Sequence, residues 1–167
     1  MDKNMDLDTP IRLQDEDLWF GYQRSTWYTL PLNYIKIYNS KPDVAVFAVW
    51  EKDEMNSLIK SENSYRGVCL TPDALNSIEQ ILANHEEVFS FSQLEDPSKA
   101  GHYVLDGYKH EFVFTQSGQT VSLSGSHVEY CEGEYERCPQ AAKTIDVFRE
   151  IAKVLEAAGV DPDCFRL

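Results

Sequence analysis

Residues 139 to 158 constrain the chain most. Ile145, Phe148, Ile151, Ala152, Leu155 and Ala158 recur at the spacing of one helical face, while Lys143, Asp146, Arg149, Glu150, Lys153 and Glu156 lie mostly off it. Pro139 suits a first turn, Gly159 a C-terminal cap, and Pro162 prevents the helix from resuming. A helix with so broad an apolar stripe must lie on another apolar surface.

The rest of the chain offers a sheet to receive it. Tyr34–Tyr38 and Val44–Trp50 are rich in β-branched and aromatic residues, and Asn39–Asp43 between them is turn chemistry. They read as a β-hairpin with a five-residue loop. Val44–Trp50 (VAVFAVW) is apolar on both faces, which fits an interior strand of a sheet covered by helices. His110–Thr115 and Gln119–Ser124, joined through Gln116, Ser117 and Gly118, form a second hairpin. Phe112 and Phe114 share one face of it, as do Val121 and Leu123. Leu18, Phe20 and Tyr22 alternate as in a short strand, and Val88–Phe91 reads as another. A second helix starts at Thr71-Pro72, with Thr as N-cap and Pro at the first helical position, and runs to about His85, where Asn84 suits a left-handed cap. Asp53 is placed to cap a short helix reaching Lys60, and residues 61–67 read as a loop.

The expected fold class is therefore α+β: a single domain with a mostly antiparallel sheet built from β-hairpins and two main helices, about 72–85 and 139–158, packed on it. Residues 1–14 are expected to be a flexible acidic N-terminal arm, leaving 15–167 as the domain. No internal repeat interrupts this organisation.

Charge narrows the function classes. The 167 residues carry 28 acids against 15 bases, a formal net charge of −13. Such a chain repels nucleic-acid phosphate and anionic membrane and draws basic partners inward. Asp2, Asp6 and Asp8 stand where the basic region of a signal peptide would be, and no stretch reaches the ~18 apolar residues of a membrane span. A cytoplasmic location is expected, with Cys69, Cys131, Cys138 and Cys164 as reduced thiols.

Residues 127–138, HVEYCEGEYERC, hold the densest chemistry: one His, two Cys and four Glu. A metal site is one reading, but His127, Cys131 and Cys138 are spaced His-x3-Cys-x6-Cys, without the close Cys pair of a zinc knuckle. A redox pair lacks the Cys-x-x-Cys spacing, and the neighbouring glutamates oppose a low thiol pKa at Cys138. A hydrolase would draw on His102, His110 or His127 with Asp106 or Glu111 as orienter, but SGSH at 124–127 opens no helix and is no nucleophile elbow. No phosphate-binding glycine motif is present. The reading that needs no special geometry is an acidic connecting loop. Its four carboxylates are expected to be largely solvated, because burying all of them would be costly. In that reading Glu129, Glu132, Glu134 and Glu136 steer a cationic partner and Tyr130 and Tyr135 supply contact area. Trp19 and Tyr22, just after Asp15–Asp17, are added as candidate contacts, against the alternative that such aromatics pack the sheet.

The expectation is a non-enzymatic acidic protein-binding module, an inhibitor or immunity-type protein whose partner is a basic protein such as a toxin or nucleic-acid enzyme. It would need no cofactor or metal and would contact neither nucleic acid nor membrane directly. The alternative is a small hydrolase or metal-dependent enzyme using the His and Cys residues of 102–138. A homodimer through an apolar edge strand at Tyr34–Tyr38 is also compatible with the pattern.

Overall fold

The computed structural model describes residues 17–26, 31–49, 51–52, 58–59, 65–101 and 108–167. The expected arm, Trp27, Tyr28, Leu30, Trp50, His102 and Asp106 lie outside the described residues.

Six strands form one sheet: β1 (Leu18–Thr26), β2 (Pro31–Tyr38), β3 (Lys41–Val49), β6 (Tyr65–Cys69), β7 (Tyr108–Gln116) and β8 (Gln119–Ser126). Their order is β6-β3-β2-β1-β7-β8, and each pairing is antiparallel. A separate ribbon pairs β4 (Glu51–Lys52) with β5 (Leu58–Ile59). Helices α1 (Pro72–Asn84) and α2 (Pro139–Ala157) pack on the sheet, giving the expected α+β class. Among the described residues no helix is long and apolar enough to cross a membrane.

Both hairpins form. The β7–β8 turn has positive φ at Ser117 and Gly118, 50° and 76°, as a two-residue primed turn requires. The β2–β3 turn is tighter than expected. Lys41–Asp43 belong to β3, and only Asn39 and Ser40 are left between the strands. The register slips there, with Ile37 opposite Ala45 but Tyr38 opposite Lys41. Pro42 falls inside the slipped stretch, where it has no N–H to give a regular ladder.

Several local expectations are corrected. Residues 61–67 are not simply a loop, since Tyr65–Gly67 open β6, which pairs with β3. An interior strand needs a hydrogen-bonded partner along each edge, and β6 supplies the second for β3. Leu58–Ile59 is extended, not the end of a helix from Asp53, and residues 53–57 and 60 lie outside the described residues. Glu86–Ser90 is a 3-10 turn where Val88–Phe91 was expected to be extended. That turn explains the end of α1: the cap is His85 at φ −127°, and the chain runs on without a left-handed residue at Asn84. Tyr34–Tyr38 is no edge strand, because β2 lies between β1 and β3. This removes the structural reason for a dimer there, and the edges of the sheet are β6 and β8.

The core lies between the helices and one face of the sheet. Phe20, Tyr22, Ile35, Ile37, Phe112 and Phe114 meet Ile78, Leu82, Phe148, Ile151 and Leu155, all fully buried. Phe148 is central, with ring centroids 4.3 Å from Tyr22, 5.4 Å from Phe112 and 5.8 Å from Phe165. A bulge between Leu18 and Phe20 breaks the simple alternation of β1 and sends Leu18 to a separate cluster with Val113 and Tyr38. Thr71 caps α1 as expected, its hydroxyl accepting from the Ala74 N–H at 3.2 Å. The start of α2 has a cap from far along the chain. The Glu95 carboxylate accepts from the N–H groups of Gln140 (2.9 Å) and Ala141 (2.7 Å), where the helix dipole favours negative charge.

Candidate functional site

Period-2 alternation puts Arg24 in phase with Phe20 and Tyr22, and His110 in phase with Phe112 and Phe114. Both therefore point to the helix side. The registers Arg24↔Asn33 and Arg24↔His110 complete a polar row across three strands at one end of the apolar layer. Buried polar groups must find partners, and these find them in the C-terminal residues. Asn33 Nδ2 donates to the Cys164 carbonyl at 2.7 Å and Oδ1 accepts from Arg24 Nε at 2.8 Å. Tyr22 donates to the Arg166 carbonyl at 2.6 Å, and its oxygen lies 3.0 Å from His110 Nδ1.

On the other side of His110, Nε2 lies 2.8 Å from Glu129 Oε2. His127 makes this closure possible. It sits in the left-handed region at φ 57°, ends the ladder with a 2.9 Å bond from its N–H to the Tyr108 carbonyl, and turns the chain into the short 3-10 helix Val128–Cys131. Gly125 clears the way: a Cβ there would stand 2.7 Å from Val128 Cγ1 and 3.2 Å from Leu94 Cβ.

The hydrogens of this chain can be counted. Burial pushes the His110 pKa down, against the pull of the Glu129 bond and charge. Burial works to raise the Glu129 pKa, but the hydrogen bond from His110, with its own main-chain N–H, holds the carboxyl below its ordinary value. At neutral pH the pair is thus a neutral imidazole donating from Nε2 to a carboxylate. Nδ1 then bears a lone pair, and the Tyr22 hydrogen lies between two acceptors, Nδ1 and the Arg166 carbonyl. Burial, above all, drives the Tyr22 pKa upward, so the phenol keeps that hydrogen. The network ties β1 and β7 to both the 128–131 turn and the C-terminal residues.

Beyond Glu129 the acidic segment faces outward. Tyr130 is 41% and Tyr135 54% exposed, and among the described residues they are the large hydrophobic side chains that stand out of the surface. Tyr135 is fixed by donating to Asp146 Oδ2 at 2.6 Å, a bond that also raises its pKa. Glu132 accepts from Arg149 Nε at 3.2 Å. Glu136 is exposed, and Glu134 is partly buried. The segment is built from hydrogen-bonded turns, with Glu134 N bonded to the Cys131 carbonyl (3.0 Å) and Cys138 N to the Glu134 carbonyl (2.7 Å).

The candidate residues from the sequence thus divide. Tyr130, Glu132, Glu134, Tyr135 and Glu136 stay together on one outer segment, whereas Glu129 turns inward and departs from the expectation of a solvated acid. Trp19, 8% exposed, and Tyr22, fully buried, are core side chains with no ring face to offer a partner. Cys131 and Cys138 are buried against the main-chain oxygens of Glu95 and Asp96, and burial pushes the Cys131 thiol pKa up. All four cysteines are free thiols, and Cys69 is exposed. Glu111 cannot orient His110. It pairs with Lys109 at 3.0 Å, and Glu129 takes the orienting place. His110, His127 and Cys131 are all buried, and among the described residues no group of three or more His, Cys, Asp or Glu is arranged to hold a metal ion. Sequence reading did not single out Arg24, Asn33 or Glu95. For Arg24 the phase of β1 was the available signal.

Comparison of the chain with protein-family models, with curated proteins and with solved structures finds no match.

Proposed function

We propose that the chain is a non-enzymatic, acidic protein-binding module of the inhibitor or immunity kind. Its partner is a basic protein, such as a toxin or nucleic-acid enzyme, received on the outer segment at Tyr130, Glu132, Glu134, Tyr135 and Glu136. One observation carries this reading: the exposed rings of Tyr130 and Tyr135 stand among carboxylates on a chain of net charge −13. Aromatic contact area beside steering charge is the composition of a docking face. The bond to Asp146 orders Tyr135 before any encounter, which lowers the entropy lost on binding. Burial of His110, His127 and Cys131 removes the access that a hydrolytic reading would need at those residues.

Affinity capture tests this. Tagged protein and the triple variant Glu132→Lys, Glu134→Lys, Glu136→Lys are exposed to lysate of the source cell and washed at low and then raised salt. A basic protein retained by the wild type, released by salt and lost with the variant is expected. Equal retention by both would show that the face lies elsewhere.

A further inference from the structure

The C-terminal residues and the polar row enclose a second feature, distinct from the outer segment. An open cleft of about 340 Å³ is lined by Arg24, Arg149 and Arg166, with Pro162 and Leu167 as apolar wall. Three guanidiniums in one cleft are unexpected in a chain with 15 bases against 28 acids. We propose that this cleft binds a small organic carboxylate, its oxyanion held by Arg24 with Arg149 and Arg166 and its apolar body laid on Pro162 and Leu167.

Arg24 is the centre of the argument. It is partly buried, and a charge taken out of water normally has a counter-ion. Its partners are an amide oxygen (Asn33, 2.8 Å), a main-chain oxygen reached only at 3.4 Å (Leu167) and a ring face (Tyr108, 4.5 Å to the centroid). Among the described residues no side-chain carboxylate is bonded to it. Glu129 also lines the cleft, but its Oε2 is taken by His110. Burial depresses the Arg24 pKa and the nearby charge of Arg166 adds to the effect, while Tyr22, Tyr108 and Glu129 work against it; an anion between Arg24 and Arg166 would relieve their repulsion. Arg149 and Arg166 are already ion-paired, Arg149 Nε with Glu132 Oε1 at 3.2 Å and Arg166 Nη2 with Asp163 Oδ1 at 2.9 Å, so they lend their remaining donors to a ligand held first by Arg24; Arg149 reaches the Phe165 carbonyl only at 3.5 Å. A guanidinium fork matches a carboxylate with two parallel bonds.

Glu129 and Glu156 also line the cleft, and Glu132 and Asp163 already pair with Arg149 and Arg166, so the site favours a single carboxylate over a multiply charged anion. The cleft volume is at the small end of the range for small-molecule sites, ~300–1,000 Å³.

The test follows the arginine Nε–Hε resonances of the intact chain by NMR at neutral pH, with sodium acetate, sodium benzoate and, at matched ionic strength, sodium sulfate. Acetate is expected to shift the Arg24 and Arg149 signals along a saturating curve, with Arg66 and Arg137 unmoved and benzoate binding more tightly through the apolar wall. Arg24→Gln should weaken acetate binding by about tenfold, the loss of one charge-assisted contact. Arg166→Gln, at a side chain 65% exposed, should weaken it several-fold without risk to the fold. Linear shifts shared by all arginines, tighter binding of sulfate than of acetate, or saturation unchanged in Arg166→Gln would each overturn the proposal.

Discussion

Glu129 and Glu136 stand seven positions apart in one acidic run and have opposite duties. Glu129 has turned in to accept from a fully buried histidine, whereas Glu136 lies on the surface. The same side chain is a structural strut in one place and free charge in the other. The backbone decides between them: the left-handed turn at His127 aims residue 129 back at β7, and Gly133, at φ 78°, carries the chain outward again. The lesson is that an acidic run need not act as one electrostatic unit. Its first member is half-buried on a core histidine, Glu132 is paired with Arg149, and Glu136 stands exposed.

If the division is real, damage near the strut should cost stability and damage to the outer run should not. The largest effect is expected beneath the strut, at Phe148→Ala, which empties the aromatic cluster over Tyr22 and should cost about 3–5 kcal/mol in chemical denaturation. Glu129→Ala leaves the His110 donor unpaired in a buried site and should cost about 2 kcal/mol, measured the same way. Glu95→Ala removes the distant cap from α2 and should cost about 1 kcal/mol, visible as faster amide exchange at Gln140 and Ala141. Smaller still is the pH response. The folded-state pKa values of His110 and Glu129 both lie below their ordinary values. Both groups therefore bind protons more readily when unfolded, and stability falls on acidification. The His110 contribution is lost as pH drops below about 6.5 toward its lowered folded value, and the Glu129 contribution as pH drops below about 4.5 toward its own. His110→Gln should flatten the fall of the thermal midpoint on acidification below about pH 6.5, and an unchanged slope would assign that titration to another group. Least of all, in stability, the Glu132, Glu134 and Glu136 triple reversal should move the midpoint by no more than about a degree or two while abolishing capture. A large loss of stability there would erase the contrast between the two kinds of glutamate.

The fold was legible wherever one element decided its own fate. The stripe of α2, the Thr71-Pro72 start of α1 and the phased Phe112/Phe114 and Val121/Leu123 faces each carry their structure in their own spacing. What escaped depends on distant pairing. Arg24 meets His110 only because β1 and β7 pair across more than eighty intervening residues, and Glu95 caps a helix that starts more than forty residues later. Neither partner has a local signal. β6 escaped for a related reason: residues 61–67 read as a loop until Tyr65–Cys69 is seen to pair with β3. Among the candidate residues, the outer tyrosines and glutamates were singled out by composition. The inward turn of Glu129 was not, because it depends on the φ of His127.

The cysteines make the motions of the outer segment open to measurement. Cys131 and Cys138 are buried, while Cys69 is exposed. With the buried Cys164 replaced, as in Cys164→Ala, a thiol reagent should therefore modify Cys69 at once and reach Cys131 and Cys138 only when the 131–138 turn lifts off the Glu95–Asp96 stretch. The delay between the two reactions is a clock for that opening, with its own zero built into the same chain. Run with and without a captured partner, it would report how firmly the proposed docking segment is held before and after an encounter.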